Sequence, residues 1–169
     1  AMSLEQAVAY NHWLTQPPAG GAGEAWTMIA RLRECCAEPW SHARKHGGPP
    51  VPSPANGKLL HIVETCSARA LIGQPTLVVC SRLAQSDAVV EMLSQQGIQC
   101  ARIDTSTSGK HGQQADDFRS GRKLVLIMGV KCAEGHSFSD CDKLLIASHE
   151  WAGQTMPQAI GRICRLDSS

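Results

Sequence analysis

Three short runs in the C-terminal two-thirds of the chain are apolar almost throughout: Thr76–Cys80, Leu124–Met128 and Leu144–Ala147. A fourth, Ile98–Asp104, is more mixed. Segments of helical period stand around them. Lys58–Ala70 puts Leu59, Leu60, Val63 and Cys66 on one face, and further helices are predicted from about Ser86 or Asp87 to Gln96 and from Gln113 to Arg119. A strand apolar on both sides of its pleat needs cover on both faces. Strands of this kind alternating with helices predict an α/β fold, an open parallel sheet with helices on both faces.

The N-terminal third reads differently. Ser3 followed by Gln6 has the form of a capping box, and Leu4, Ala7, Val8, Asn11 and Leu14 keep helical spacing until Pro17-Pro18, which predicts a helix over Ser3–Thr15. A second helix is predicted over Glu24–Ala37, ended by Pro39. Gly47–Pro54 holds four prolines and two glycines and is too poor in apolar side chains to pack. At 169 residues and 43% hydrophobic, the chain can bury one sizeable core. The expected division is a helical extension and Pro/Gly-rich linker over 1–55 and an α/β lobe over 56–169.

A formal net charge of +1 with 18% charged residues excludes a globally basic nucleic-acid binder, so any such surface is a local cluster. No apolar run approaches the roughly 20 residues of a membrane span, and no basic-then-apolar leader is present. The expectation is no membrane partner and an intracellular, reducing compartment, cytoplasm or nucleus. The eight cysteines are scattered, form no Cys-x-x-Cys pair and read as reduced small hydrophobes. Cys35, Cys36, His42 and His46 make the one metal-like cluster. Adjacent cysteines share a tetrahedral zinc poorly, so no metal ligand is predicted.

In an open parallel sheet, ligands meet the loops beyond the strands' carboxyl ends. Those loops hold Ser81-Arg82, Thr105-Ser106-Thr107-Ser108-Gly109-Lys110, Lys131 to Gly135, and His149-Glu150-Trp151. Hydroxyls, glycine-exposed amides and lysines suit phosphates. Any one of these loops reads equally well as an ordinary turn; four in register point to a ligand edge. Near the C-terminus, Arg162 and Arg165 stand three apart, so a helix would send both guanidiniums from one face. They suit a phosphoryl group gathering charge, or a solvated helix end favoured by its dipole.

Gln158-Ala159-Ile160-Gly161-Arg162-Ile163-Cys164-Arg165 resembles the sixth motif of the superfamily-two helicases and translocases, Gln-x-x-Gly-Arg-x-x-Arg. Arg102-Ile103-Asp104-Thr105-Ser106-Thr107-Ser108 is similar to the Arg-Leu-Asp-Gly-Ser-Thr-Ser stretch of the Swi/Snf-type ATPases. Leu32-Arg33-Glu34-Cys35-Cys36-Ala37-Glu38-Pro39 is similar to that family's Leu-Arg-Gln-Ile-Cys-Asn-His-Pro, and Asn56-Gly57-Lys58-Leu59 to its Ser-Gly-Lys-Leu. Trp151 keeps the spacing of its Asp-Trp-Asn-Pro segment. The resemblance implies a RecA-like C-terminal lobe. Ser81, Arg82, Thr105, Ser106, Lys110, Lys131 and Trp151 would contact nucleic acid, duplex DNA before single strands. Glu134, Gly135 and Gln158 would lie by ATP, and Arg162 and Arg165 would act as arginine fingers on ATP and Mg2+ held by an N-terminal lobe of the same parent. The sequence departs from the Swi/Snf pattern at Thr105, at Glu134-Gly135-His136-Ser137 and at Ala152-Gly153.

The sequence holds no Gly-x-x-x-x-Gly-Lys-Ser/Thr loop; Ser108-Gly109-Lys110-His111 has Asp104 where the first glycine belongs and His111 where the magnesium hydroxyl belongs. No Asp-Glu-x-His or Asp-Glu-Ala-Asp segment is present either. The expectation is a lobe inactive alone within a DNA-dependent ATPase. A second reading is a stand-alone, non-catalytic α/β module that binds nucleic acid or protein. His136 reads as a loop residue, because a catalytic base needs a positioned partner.

Overall fold

The computed structural model describes residues 4–15, 22–48, 56–133, 135–138, 141–148 and 160–161. The chain forms two compact units that divide between Leu60 and His61.

The first unit holds three helices, α1 (Leu4–Leu14), α2 (Ala22–Ala37) and α3 (Pro39–His46), and the first turn of α4 (Gly57–Leu71). Its core packs Ala9 and Trp13 of α1 on Cys35 of α2. The sequence reading takes Pro39 as the end of α2 and misses α3. Proline ends one helix and opens the next: its fixed φ and missing N–H cost nothing at a first helical position, where that N–H has no partner. Buried Asn56 joins two helix ends. Its Nδ2 donates to the carbonyls of Cys36 (3.3 Å) and Ala37 (2.7 Å), and its Oδ1 accepts from the Lys58 N–H (2.9 Å). One side chain therefore satisfies orphan carbonyls of α2 and an orphan N–H of α4.

The second unit is a four-stranded parallel sheet in the order β2-β3-β1-β4, with β1 Thr76–Cys80, β2 Cys100–Ile103, β3 Val125–Gly129 and β4 Leu144–Ile146. Helix α5 (Leu83–Gln95) follows β1, and α6 (His111–Arg119) follows β2. The chain moves outward from β1 to β2, then back to β3. Right-handed crossovers in opposite directions put α5 and α6 on opposite faces. Leu77, Val79, Leu126 and Met128 pack with Ala115 and Phe118 of α6 on one face. Val78 and Ile127, which alternate with them, are equally buried, as are Val89 and Leu93 of α5. Burial on both faces is the physical origin of the apolar runs, and this is the α/β architecture that the sequence predicts. At the opposite end of the sheet, Arg69 of α4 donates to Pro75 O (3.1 Å) and Thr76 Oγ1 (3.0 Å) and pairs with Asp142.

Boundaries differ where local signals are weak. Helix α5 starts at Leu83 rather than Ser86, and α6 at His111 rather than Gln113; neither has a side-chain N-cap to announce it. Ile98 belongs to the exit of α5, since its N–H donates to Leu93 O at 2.9 Å across Gly97, whose φ of 76° favours glycine. Strand β2 is accordingly shorter than Ile98–Asp104.

Candidate nucleic-acid interface at the carboxyl edge of the sheet

All four strands run parallel, so the segments that leave them meet at one edge. Beyond β1, half-buried Ser81 shares a hydroxyl–hydroxyl hydrogen bond with Ser148 beyond β4, and Ser148 Oγ donates to Oε1 of buried Gln85 on α5 at 2.7 Å. The two strand ends are thus tied directly. Arg82 follows in extended backbone (φ −135°, ψ 142°) and is exposed.

Beyond β2 the organising residue is Asp104. Its Oδ1 accepts from the Ser106 N–H (2.9 Å) and the Ser106 hydroxyl (2.6 Å). Thr107 Oγ1 accepts from the Asp104 N–H at 3.1 Å, which closes a capping box over the 3-10 turn Thr105–Thr107. Arg102 donates from Nε to Asp104 and pairs through Nη2 with Asp87 of α5 at 2.8 Å. Burial alone would push the Asp104 carboxyl up, but hydrogen bonds from Ser106 and Arg102 and the guanidinium charge outweigh it and hold it below the usual carboxylate range. The turn is pre-shaped before any ligand arrives. Thr105 and Lys110 project from it and are exposed. Ser106 directs both its N–H and its O–H at Asp104, so in this arrangement it shapes the turn and has no proton left for a phosphate.

Beyond β3, Val130–Cys132 form a second 3-10 turn, with Val130 and Ala133 buried and Lys131 exposed. Gly135 is exposed with φ of 84°. His136 stacks on Phe138 with ring centroids 5.9 Å apart, and Arg119 lies over the Phe138 ring at 5.1 Å. Burial, then Arg119 and His111, lower the His136 pKa. These neighbours oppose its protonation, unlike the carboxylate that would hold a catalytic base.

Of the sequence-predicted residues, the structure therefore gathers Ser81, Arg82, Thr105, Ser106, Lys110, Lys131 and Gly135 on segments leaving the same edge of the sheet. Glu134, Trp151, Gln158, Arg162 and Arg165 lie outside the described residues. Within the last motif, Ile160 packs against the core of the second unit and Gly161 is exposed. Sequence reasoning missed Asp87 and Gln85, whose roles depend on contacts across the fold. It quoted Asp104 only within a motif, although Asp-x-x-Thr is itself a readable cap.

No described helix is long and apolar enough to cross a membrane. Comparison with curated proteins gives no match. Among solved structures, the Sulfolobus solfataricus SWI2/SNF2 ATPase C-terminal domain is similar with a TM-score of 0.66 at 13% identity, over 89% of this chain and 69% of that one. The Sulfolobus solfataricus SWI2/SNF2 ATPase core in complex with dsDNA gives 0.72 at 14% identity, over 99% of this chain and 37% of that one. The C-terminal part of the Fun30 ATPase domain gives 0.59 at 14% identity, over 97% of this chain and 57% of that one. The chain spans little more than a third of the complete ATPase core it resembles. At these identities the likeness establishes the fold, which is that of a RecA-like SWI2/SNF2 C-terminal domain. Residues 57–167 match the family described as helicase conserved C-terminal domain, and the chain belongs to that family.

Proposed function

We propose that this chain is the C-terminal lobe of an ATP-dependent DNA translocase or helicase of Swi/Snf type. In this reading residues 1–55 are a helical extension and linker, and residues 56–169 are the lobe itself. The observation that carries the reading is the gathering of Ser81, Arg82, Thr105, Lys110 and Lys131 on segments leaving the carboxyl ends of three parallel strands in a helicase-family chain. Exposed cations on neighbouring turns can track a phosphate backbone without reading bases. One structural relative was solved as an ATPase core with dsDNA, which favours duplex as the ligand.

The chain's own residues do not fit a complete Mg2+–ATP site. Gly109-Lys110 precedes α6 much as a phosphate loop precedes its helix. However, the ring of His111, where a magnesium-binding hydroxyl belongs, is 2.8 Å from Asp104 O. The phosphate grip, the metal and the positioned water therefore belong to a second lobe of the parent, and this chain alone does not turn over ATP. Its contribution is positive charge: Arg162 and Arg165 meet the transferring phosphoryl group, beside Gln158, Glu134 and Gly135. Trp151 joins the DNA-contacting set.

The test uses the complete reading frame that encodes the second lobe. Arg165→Ala removes most DNA-stimulated ATP hydrolysis, on the order of a thousandfold, while leaving ATP affinity within a few-fold, because a finger acts chiefly in the transition state. Unchanged turnover contradicts the role. A reading frame with no phosphate loop or Asp-Glu pair beyond this chain would instead leave a non-catalytic binding module.

A further inference from the structure

The helical unit holds a second cluster that the translocase reading does not use. Glu34 lies in the last turn of α2, and His42 and His46 stand four apart on α3. Residues i and i+4 share a helix face. The Glu38–Pro39 break brings that face against the end of α2: Glu34, His42 and His46 each offer a ligand atom, and the three atoms lie within 4.8 Å of one another. Glu34 Oε2 is 3.5 Å from His46 Nε2, and the two imidazole centroids are 4.6 Å apart.

His42 gives this geometry its meaning. The residue is 1% exposed, and neither ring nitrogen has a hydrogen-bond partner. An imidazole removed from water with both nitrogens unmet loses hydrogen bonds that the unfolded chain keeps. Trp13 packs edge-to-face on it at 4.9 Å and fixes the ring beside Glu34 and His46. A cation among the three would supply the partner that the protein does not.

We propose that Glu34, His42 and His46 form a divalent transition-metal site, with Zn2+ the best match, that joins the end of α2 to α3. Two imidazoles and a carboxylate are zinc ligands, and a site with three protein ligands leaves the fourth position for water. Tetrahedral zinc with bonds of about 2.0–2.1 Å holds its ligands about 3.4 Å apart. The Glu34–His46 spacing is already near that value, and the His42 ligand atom lies within 4.8 Å of the other two. Lys45 pairs with Glu34 through Oε1 at 2.9 Å, whereas His46 faces Oε2. Of the two carboxylate oxygens, Oε2 is therefore the one turned to the histidine side. Arg31 lies over the Trp13 ring, and its charge, with that of Lys45, lowers the affinity of the site for a cation. The cysteines that argue against zinc in the sequence have no part in this set: Cys35 is buried against Ala9 and Trp13.

The test is titration of the metal-free 169-residue chain with Co2+, followed by displacement with Zn2+. The expected result is one Co2+ per chain with the intense visible bands of a tetrahedral nitrogen–oxygen site and no thiolate charge-transfer band. Zn2+ then displaces it. Glu34→Gln, which keeps the side-chain shape, and His46→Ala, at a partly exposed position, should each weaken binding at least tenfold, the scale on which even partners one step removed from a metal act. Cys36→Ser should leave it unchanged. Uptake without 1:1 stoichiometry, unweakened affinity in either ligand variant, or a thiolate band would overturn the proposal.

Discussion

Gly129, the last residue of β3, stands so close to Asp104 beyond β2 that a Cβ built on it would lie 3.1 Å from the Asp104 Cβ and 3.5 Å from its Cα. Two neighbouring strand ends are held in contact through a missing side chain. The approach sets the turn that presents Thr105 and Lys110 beside the turn that presents Lys131. The backbone at Gly129 (φ −72°, ψ 132°) is open to any residue, so the constraint there is space, not conformation.

Gly129→Ala should therefore destabilise the lobe by about 1–3 kcal/mol, the range for forcing an extra methyl into a packed site. Urea unfolding checks it. Gly121→Ala, where no atom lies within 4 Å of the added Cβ, is a control for backbone strain alone, since its φ is 72°. A neutral Gly129→Ala would mean that Asp104 yields freely and that the turn is not pre-shaped.

Asp104→Asn keeps the size but removes the charge that Arg102 meets. Breaking such a pair while leaving the guanidinium half-buried should cost about 3 kcal/mol. The pH dependence has a definite sign. The folded Asp104 carboxyl titrates below its unfolded value of about 3.9. Its stabilisation is present above that value and is lost as pH falls through the folded pKa, because the unfolded state then binds the extra proton. Acid unfolding of Asp104→Asn should be correspondingly shallower below about pH 4. An identical acid limb in both proteins would contradict the pairing.

Asn56→Ala removes hydrogen bonds to two carbonyls of α2 and one N–H of α4 at a site 2% exposed. The loss should be about 2–3 kcal/mol, more than an exposed cap provides, because the orphaned carbonyls stay out of water. Asn56→Asp retains the cap on α4 but not the donor to α2 and should recover only part. Chemical denaturation measures both. Equal stability in Asn56→Ala would show that water reaches those carbonyls.

Much of this architecture was legible because one physical requirement writes both sequence and fold. Leu77, Val78 and Val79 are all buried because helices cover both faces, and that double burial makes the run unbroken. The positions of Ser81, Lys110 and Lys131 at one edge follow from parallel strands without any knowledge of contacts. Helix α3 was hidden because Pro39 is compatible with ending one helix and opening another, and only packing decides. Ser106 looks like a phosphate-facing hydroxyl in the sequence, yet in the fold it serves Asp104. The juxtaposition of Glu34 with His42 and His46 required the turn of the chain between two helices, which no spacing rule encodes.

The central claim, that the carboxyl edge of the sheet grips a nucleic-acid backbone, is tested most directly by the salt dependence of duplex-DNA binding. Fluorescence anisotropy of the 169-residue chain with two unrelated duplexes, from low to physiological salt, should give the same affinity for both and a linear fall of log affinity with log salt. Lys110→Ala and Lys131→Ala should each weaken binding equally on both duplexes and reduce the slope by about one. Binding that these substitutions leave untouched, or that they weaken on one sequence alone, would contradict the account.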